Sequence, residues 1–123
     1  MRTYLPSGTG MYVWAITHLP VNWIEEFHAM KTKWICVKVA DGVNSFNLRW
    51  AEGIGWVDDI LEPWCDIARD AGFELWGWQY IYGKNPNSEA DKAAQRVNKF
   101  RLKGFLIDAE LQYKNKPTEA SMY

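Results

Sequence analysis

Two carboxylates stand two positions apart at the end of an apolar segment, and they carry the clearest chemical signal in this sequence. Residues 104–110 read GFLIDAE, which predicts a buried strand that ends at Asp108 and Glu110. Strand alternation puts both side chains on one face, with their Cα atoms about 6.5 to 7 Å apart. At that distance one carboxyl group can stay protonated while its neighbour is ionised. We predict a paired catalytic site; the alternative is a strand end that simply reaches solvent.

The elements that must position this pair alternate regularly between strand and helix. Short β-branched and aromatic runs predict strands, and longer segments with a helical apolar period predict helices. In chain order the predicted elements cover residues 11–16, 21–31, 34–40, 60–71, 73–82, 88–102 and 104–110. Strands that alternate with helices at this period form a parallel sheet, which helices cover on at least one face.

Turn and capping residues set the predicted boundaries. Gly72 is expected to end the second helix, and Gly104 the third. Ser88 is expected to cap the start of the third helix, with Asp91 in a capping-box position. The polar, glycine-containing segment between the second strand and the second helix is expected to be a long loop.

The element count predicts half of a familiar architecture. The 123 residues form a single predicted domain with four strands and three full helices. A TIM barrel of eight strand–helix units takes about 250 residues, so the fold class we predict is α/β, a parallel (βα)4 half of a TIM barrel. Because isolated parallel edges favour association, we expect two copies to complete an eight-stranded barrel as a homodimer. An open flavodoxin-like sheet is the alternative.

Composition excludes several classes of function. The net charge is −1 and the basic residues are scattered, so neither nucleic acid nor a membrane surface is an expected partner. The sequence has no signal-peptide pattern and no apolar run near the roughly 20 residues of a membrane span. We therefore expect a soluble, cytoplasmic protein.

Cys36 and Cys65 lack metal-ligand spacing and are expected to be buried free thiols, and no metal or cofactor is predicted.

Aromatic residues supply the candidate binding groups. Eight Trp, six Tyr and five Phe suit either a crowded core or a cleft that stacks on sugar rings. Lys38 is expected to pair with Asp41 or with Glu110, or to hold a neighbouring carboxylate ionised. The sequence leaves open which alternating set of the third strand faces inward. The candidate substrate-binding residues are Trp14, Lys38, Asp41, Trp78, Gln79, Tyr80, Tyr82 and Tyr113.

Three segments together resemble the N-terminal half of a glycoside-hydrolase TIM barrel, most closely glycoside hydrolase family 25, the lysozyme-like muramidases. Residues 34–44 (WICVKVADGVN) resemble that family's second strand and the turn after it. Residues 75–82 (LWGWQYIY) resemble its third strand, and residues 107–110 (IDAE) its fourth-strand Asp-x-Glu. The resemblance covers nearly the whole chain.

The resemblance implies hydrolysis of a glycosidic bond with retention at the anomeric carbon. Glu110 is then the acid that protonates the leaving oxygen, and Asp108 orients a substrate N-acetyl group or stabilises the oxocarbenium-like transition state. In barrel enzymes the working residues lie at the C-terminal strand ends, where both carboxylates fall. Two other functions stay open: a carbohydrate-binding module without turnover, and a half-barrel whose only property is assembly.

Overall fold

The structure is a computed structural model that describes residues 6–109. Two predicted site residues, Glu110 and Tyr113, lie outside the described residues. The strands are β1 Gly10–Val13, β2 Trp34–Asp41, β3 Asn44–Ser45, β4 Arg49–Ala51, β5 Gly55–Val57, β6 Glu74–Ile81 and β7 Gly104–Ala109. The helices are α1 Trp23–Ala29, α2 Leu61–Asp70 and α3 Pro86–Phe100, with a short 3-10 turn at Ile16–His18.

A mostly parallel sheet forms the centre of the molecule. Its order is β1-β2-β6-β7, and all three of these strand pairs are parallel. The short strand β3 adds an antiparallel pairing to the end of β2. The predicted α/β class with a parallel sheet is therefore confirmed. Because the four main strands are parallel, their C-terminal ends lie along the same end of the sheet, which we call its C-terminal edge.

The two faces of the sheet are packed differently. On one face, Val37 and Leu75 join the helix residues Leu61 and Phe100 in the larger apolar core. On the other face, Cys36, Trp76 and Trp78 form a smaller cluster, with Trp34 and Leu106 packed against it. We call this second side the open face, because its apolar cluster consists of strand residues only among those that the structure describes.

Helix ends follow the predicted chemistry in one case and depart from it in two. Gly72, with φ +96°, follows the last turn of α2 as predicted. Ser88 is not a cap: α3 begins two residues earlier, because Pro86 fits the first helical turn without needing an amide hydrogen. The same helix ends at Phe100, where Arg101 takes the left-handed conformation with φ 52°. Gly104 serves another purpose, since a Cβ there would lie 2.1 Å from the Trp76 ring.

The predicted long loop after β2 contains regular structure. Strands β4 and β5 pair antiparallel as a short hairpin, with Trp50 directly opposite Trp56. The turn is closed by the Ile54 amide, which donates to the Ala51 carbonyl at 3.0 Å. The prediction missed this hairpin because each strand has only three residues, too few for a period to show.

No helix within residues 6–109 combines the length and apolar character that crossing a bilayer requires.

Candidate functional site

A row of three residues crosses the C-terminal edge of the sheet. Asp41 on β2 is paired in register with Tyr80 on β6, and Tyr80 is paired with Asp108 on β7. Neighbouring strands lie about 4.8 Å apart, so the backbones of the two aspartates are separated by about 10 Å. We call Asp41, Tyr80 and Asp108 the strand-end row. Two carboxylates therefore flank one aromatic ring where parallel sheets commonly bind ligands.

A β-bulge brings Lys38 and Asp41 onto the same face. Residues three apart in a regular strand point to opposite faces. The register of β2 against β6 shifts between Lys38 and Ala40, so Val39 is an extra residue that resets the alternation. Lys38 Nζ consequently donates to Asp41 Oδ2 at 2.7 Å. The structure therefore contains one of the two pairs that were predicted for Lys38, the pair with Asp41.

The Lys38 ammonium is fully buried inside a cage of four aromatic rings. Its Nζ lies 3.8 Å from the centroid of the Trp14 ring and 4.1 Å from that of Phe46. The rings of Trp78 and Tyr80 follow at 5.2 and 5.4 Å. Each such contact contributes about 0.5 to 2 kcal/mol where water is excluded. These four residues, the aromatic cage, and the Asp41 carboxylate together compensate the buried charge.

Tyr82 completes the environment of Asp41. Its hydroxyl donates to Asp41 Oδ1, so both carboxylate oxygens are held, one by Lys38 and the other by the phenol. The hydrogen bond to Asp41, followed by burial, raises the pKa of Tyr82 to about 12. The phenol therefore stays protonated at neutral pH and acts as a hydrogen-bond donor. Glu89 fixes the backbone here, accepting from the Tyr82 amide at 2.8 Å.

Asn47 ties the ends of β1 and β2 together behind the cage. Its side-chain oxygen accepts from the Ile16 amide at 2.8 Å, and its nitrogen donates to the carbonyls of Trp14 and Lys38 at 2.8 and 2.7 Å. The residue is buried and has φ 63°, a conformation that Asn tolerates better than most residues. Asn47 therefore positions Trp14 beside Lys38.

Arg96, on α3, supports the site from the helix side. Its buried guanidinium donates to the carbonyls of Val39 and Phe46, at 2.8 and 2.9 Å, and to Asp58 at 2.6 Å. Burial raises the pKa of Asp58, but hydrogen bonds from Lys99 and Arg96 outweigh it, and the pKa is lowered overall. Arg96 thus fixes both the bulge and a ring of the cage.

Sequence reasoning did not identify Arg96 or the role of Asn47. The signal for Arg96 was its spacing, because it lies three residues after Ala93 and four before Phe100, on the buried stripe of α3. A charged residue on such a stripe indicates a buried ion pair. Asn47 gave no comparable signal, since its three bonds join segments that only the fold brings together.

The structure unites most of the predicted site residues and separates one. Gln79 lies on the helix side of the sheet, fully buried, and its amide donates to the carbonyls of Gly42 and Glu89 at 2.7 and 3.0 Å. Asp108 is exposed and, through its pairing with Tyr80, belongs to the open face. The other predicted residues that meet on the open face are Trp14, Lys38, Asp41, Trp78, Tyr80 and Tyr82.

The two cysteines contribute no reactive group. Both are free and buried, as predicted, and burial raises the pKa of each thiol to about 12. Within residues 6–109 no three His, Cys, Asp or Glu side chains are grouped so that they could hold a metal ion.

Comparison with known proteins found no relative of this chain. No model of a protein family matches it, and neither the curated proteins nor the solved structures contain a match. The resemblance to glycoside hydrolase family 25 therefore stays a prediction that rests on three sequence segments. The described residues themselves define a class: an α/β protein with a mostly parallel sheet and a polar, aromatic site at its C-terminal edge.

Proposed function

We propose that this chain is a glycoside-hydrolase-like protein, a (βα)4 half of a barrel that cleaves a glycosidic bond at the C-terminal edge of its sheet. The observation that carries the proposal is the strand-end row, in which Asp41 and Asp108 flank Tyr80. Glycoside hydrolysis requires a pair of carboxylates, and aromatic rings are the surfaces on which sugars stack.

In the proposed reaction Glu110 gives its proton to the leaving oxygen as the bond from that oxygen to the anomeric carbon breaks. Asp108 stabilises the positive charge that develops on the sugar, or orients a substrate N-acetyl group that does so. Water then adds to the anomeric carbon and returns a proton to Glu110. The product is a new reducing end.

The aromatic cage and its partners fit a binding role in this reaction. Trp14 is 53% exposed although it contacts the buried Lys38, so about half of this residue is accessible to a sugar. Lys38 and Tyr82 hold the Asp41 carboxylate in one orientation, which suits an acceptor for sugar hydroxyls. The protonated Tyr82 phenol is a further polar group at the same edge.

We also propose that two copies of the chain associate through their open faces and sheet edges to complete a barrel. Tyr12 and Trp14 are exposed on or beside the open face. Among the described residues, the outer strands β1 and β7 each pair with one neighbour only. Measurement of the mass in solution tests this point: we expect twice the 14.3 kDa of the single chain, and a folded monomer at all concentrations would contradict it.

The activity is tested by the release of reducing ends from chitin-like, peptidoglycan and plain glucan substrates. We expect Glu110→Gln and Asp108→Asn each to lower the rate at least about a hundredfold, because general acid catalysis alone contributes about 10² to 10⁴. Glu62→Gln and Asp70→Asn make the same changes at exposed positions on α2 and serve as matched controls. Activity that persists in Glu110→Gln would remove the assignment.

A carbohydrate-binding module without turnover is the second candidate, and the exposed Trp14 ring favours it. Such a module retains glycan affinity in Glu110→Gln and releases no reducing ends from any substrate. Binding measured beside hydrolysis in the same variant therefore separates the two functions.

A further inference from the structure

The hairpin of β4 and β5 carries an exposed aromatic pair on the same side of the molecule as the strand-end row. Trp50 and Trp56 are 61% and 66% exposed, and their rings meet edge to face with centroids 5.1 Å apart. The hairpin follows the C-terminal end of β2, and the Arg49–Asp59 ion pair at 2.6 Å closes its base. A cross-strand pair stabilises a hairpin by about 0.2 to 1 kcal/mol, which accounts for the contact between the two rings. It does not account for the exposure of both rings to solvent.

A groove of about 770 Å³ separates Trp56 from the body of the protein. This volume lies within the range of about 300 to 1,000 Å³ that is common for small-molecule sites. Only one of the two hairpin tryptophans lines the groove. The groove is also lined by Ala15, Thr17, Asn44 and Ser45.

The lining of the groove specifies the chemistry of an occupant. None of the described residues that line it is charged, and the nearby Arg49 is already paired with Asp59. Thr17 and Asn44 are exposed and offer a hydroxyl and an amide, while Trp56 offers an aromatic face. A ligand that fits is uncharged, has an apolar face and carries hydroxyl groups around its rim. A pyranose ring has all three properties.

The groove adjoins the aromatic cage of the candidate site at one side chain. Phe46 lines the groove and is also a member of the aromatic cage, 4.1 Å from Lys38 Nζ. Its ring lies 6.3 Å from that of Trp14. The groove and the aromatic cage therefore share the Phe46 side chain, which makes the groove a neighbouring position for a second sugar unit.

We propose that this groove is a binding subsite for an uncharged pyranose unit of a glycan, with the Trp56 ring as its stacking platform. The inference rests on the proposed function, because it extends the same glycan-binding surface. It adds a specificity: the unit bound here is neutral, and sugars with carboxylate or sulfate groups are disfavoured.

The hairpin offers a matched pair of variants. Trp50→Ala and Trp56→Ala both destroy the cross-strand ring pair, but only Trp56 lines the groove. We measure the affinity of the full chain for a neutral chito-oligosaccharide by calorimetry, in the Glu110→Gln background so that the probe is not consumed. We expect Trp56→Ala to weaken binding about tenfold, Trp50→Ala to change it less than about twofold, and Trp56→Phe to restore most of the affinity.

Three results overturn the subsite: equal losses in Trp50→Ala and Trp56→Ala, no loss in either, or tighter binding of an acidic oligosaccharide. The unfolding midpoint of each variant shows whether the hairpin variants remain folded, and Trp56→Phe tests the groove if Trp56→Ala does not. Failure of the subsite differs from failure of the proposed hydrolysis. Binding that depends on Trp56 without any release of reducing ends supports the subsite alone, and hydrolysis that is indifferent to Trp56 supports the reaction alone.

Discussion

Two buried cations lie on opposite sides of the same bulged strand, and they are compensated in different ways. Arg96, on the helix side, donates to the carbonyls of Val39 and Phe46 and to Asp58. Lys38, on the open face, is surrounded by aromatic rings and bonded to Asp41. Arg96 therefore donates to backbone carbonyls next to the bulge, whereas Lys38 orients a carboxylate that reaches the edge of the sheet. The bonds of Arg96 stabilise the fold, and the bond of Lys38 orients a polar group of the candidate site.

The largest effect is expected when Arg96 is replaced. Arg96→Met removes three hydrogen bonds from a buried cation, and among the described residues only the Lys99 bond to Asp58 and the Phe46 amide bond to Val39 remain there. We expect this to cost about 3 to 5 kcal/mol of the free energy of unfolding. Urea denaturation measures this loss. Arg101→Met, at an exposed position just after the same helix, is the control and is expected to change stability by less than about 1 kcal/mol. A loss below about 1 kcal/mol in Arg96→Met would contradict the structural role.

A smaller effect is expected for Lys38→Met. The methionine fills the aromatic cage with favourable sulfur–ring contacts, and Asp41 keeps its bond to Tyr82 and its access to water. We expect urea denaturation to show a loss of about 1 to 2 kcal/mol in the free energy of unfolding. We also expect glycan affinity to fall, because Asp41 is no longer oriented by Lys38. Lys33→Met, at an exposed position, controls for the loss of one positive charge. A cost equal to that of Arg96→Met would remove the distinction between the two cations.

The smallest effect concerns pH and Tyr82. Because its pKa is raised from 10.0 to about 12 in the folded protein, the bond to Asp41 contributes stability that is complete below pH 10 and is lost as the pH rises through 12. We expect the unfolding midpoint of the wild-type protein to fall across this window, and Tyr82→Phe to lack that part of the fall.

Tyr12→Phe is the matched control for this titration, since it removes an exposed phenol away from Asp41 and should leave the alkaline fall intact. Identical pH profiles in the wild type and in Tyr82→Phe would show that the hydrogen bond to Asp41 does not hold the phenol protonated.

Much of the secondary structure could be predicted because it depends on local patterns. The run of apolar residues at 34–40 and the aromatic run at 73–82 fall within β2 and β6 or extend only slightly beyond them. Gly72 marked a helix end correctly, because only a residue that tolerates positive φ fits there. Pro86 shows the limit of local rules, because Ser88 and Pro86 are both residues that favour a helix start and no local pattern favours the earlier one.

The sequence predicted many residues of the candidate site, but it did not predict how they are arranged. Six of the predicted binding residues meet on the open face. Strand alternation separates Gln79 from Trp78 and Tyr80, but it could not decide which of the two sets lies on the open face. The bulge at Val39 decided that Asp41 joins Lys38, and a bulge depends on how a strand pairs with its neighbour rather than on its own residues. Phe46, Asn47 and the β4–β5 hairpin lay in a segment with no readable period.

The sequence by itself determined the alternation of strands and helices, the burial of both thiols and the presence of acidic and aromatic residues at strand ends. Hydrophobic periodicity fixes these properties within a few residues of each position. Only the tertiary structure decided that Trp14, Phe46, Trp78 and Tyr80 surround Lys38, and that Asp41, Tyr80 and Asp108 form one row. These residues are far apart in the chain, and the register of parallel strands, set by packing of the whole sheet, is what brings them together.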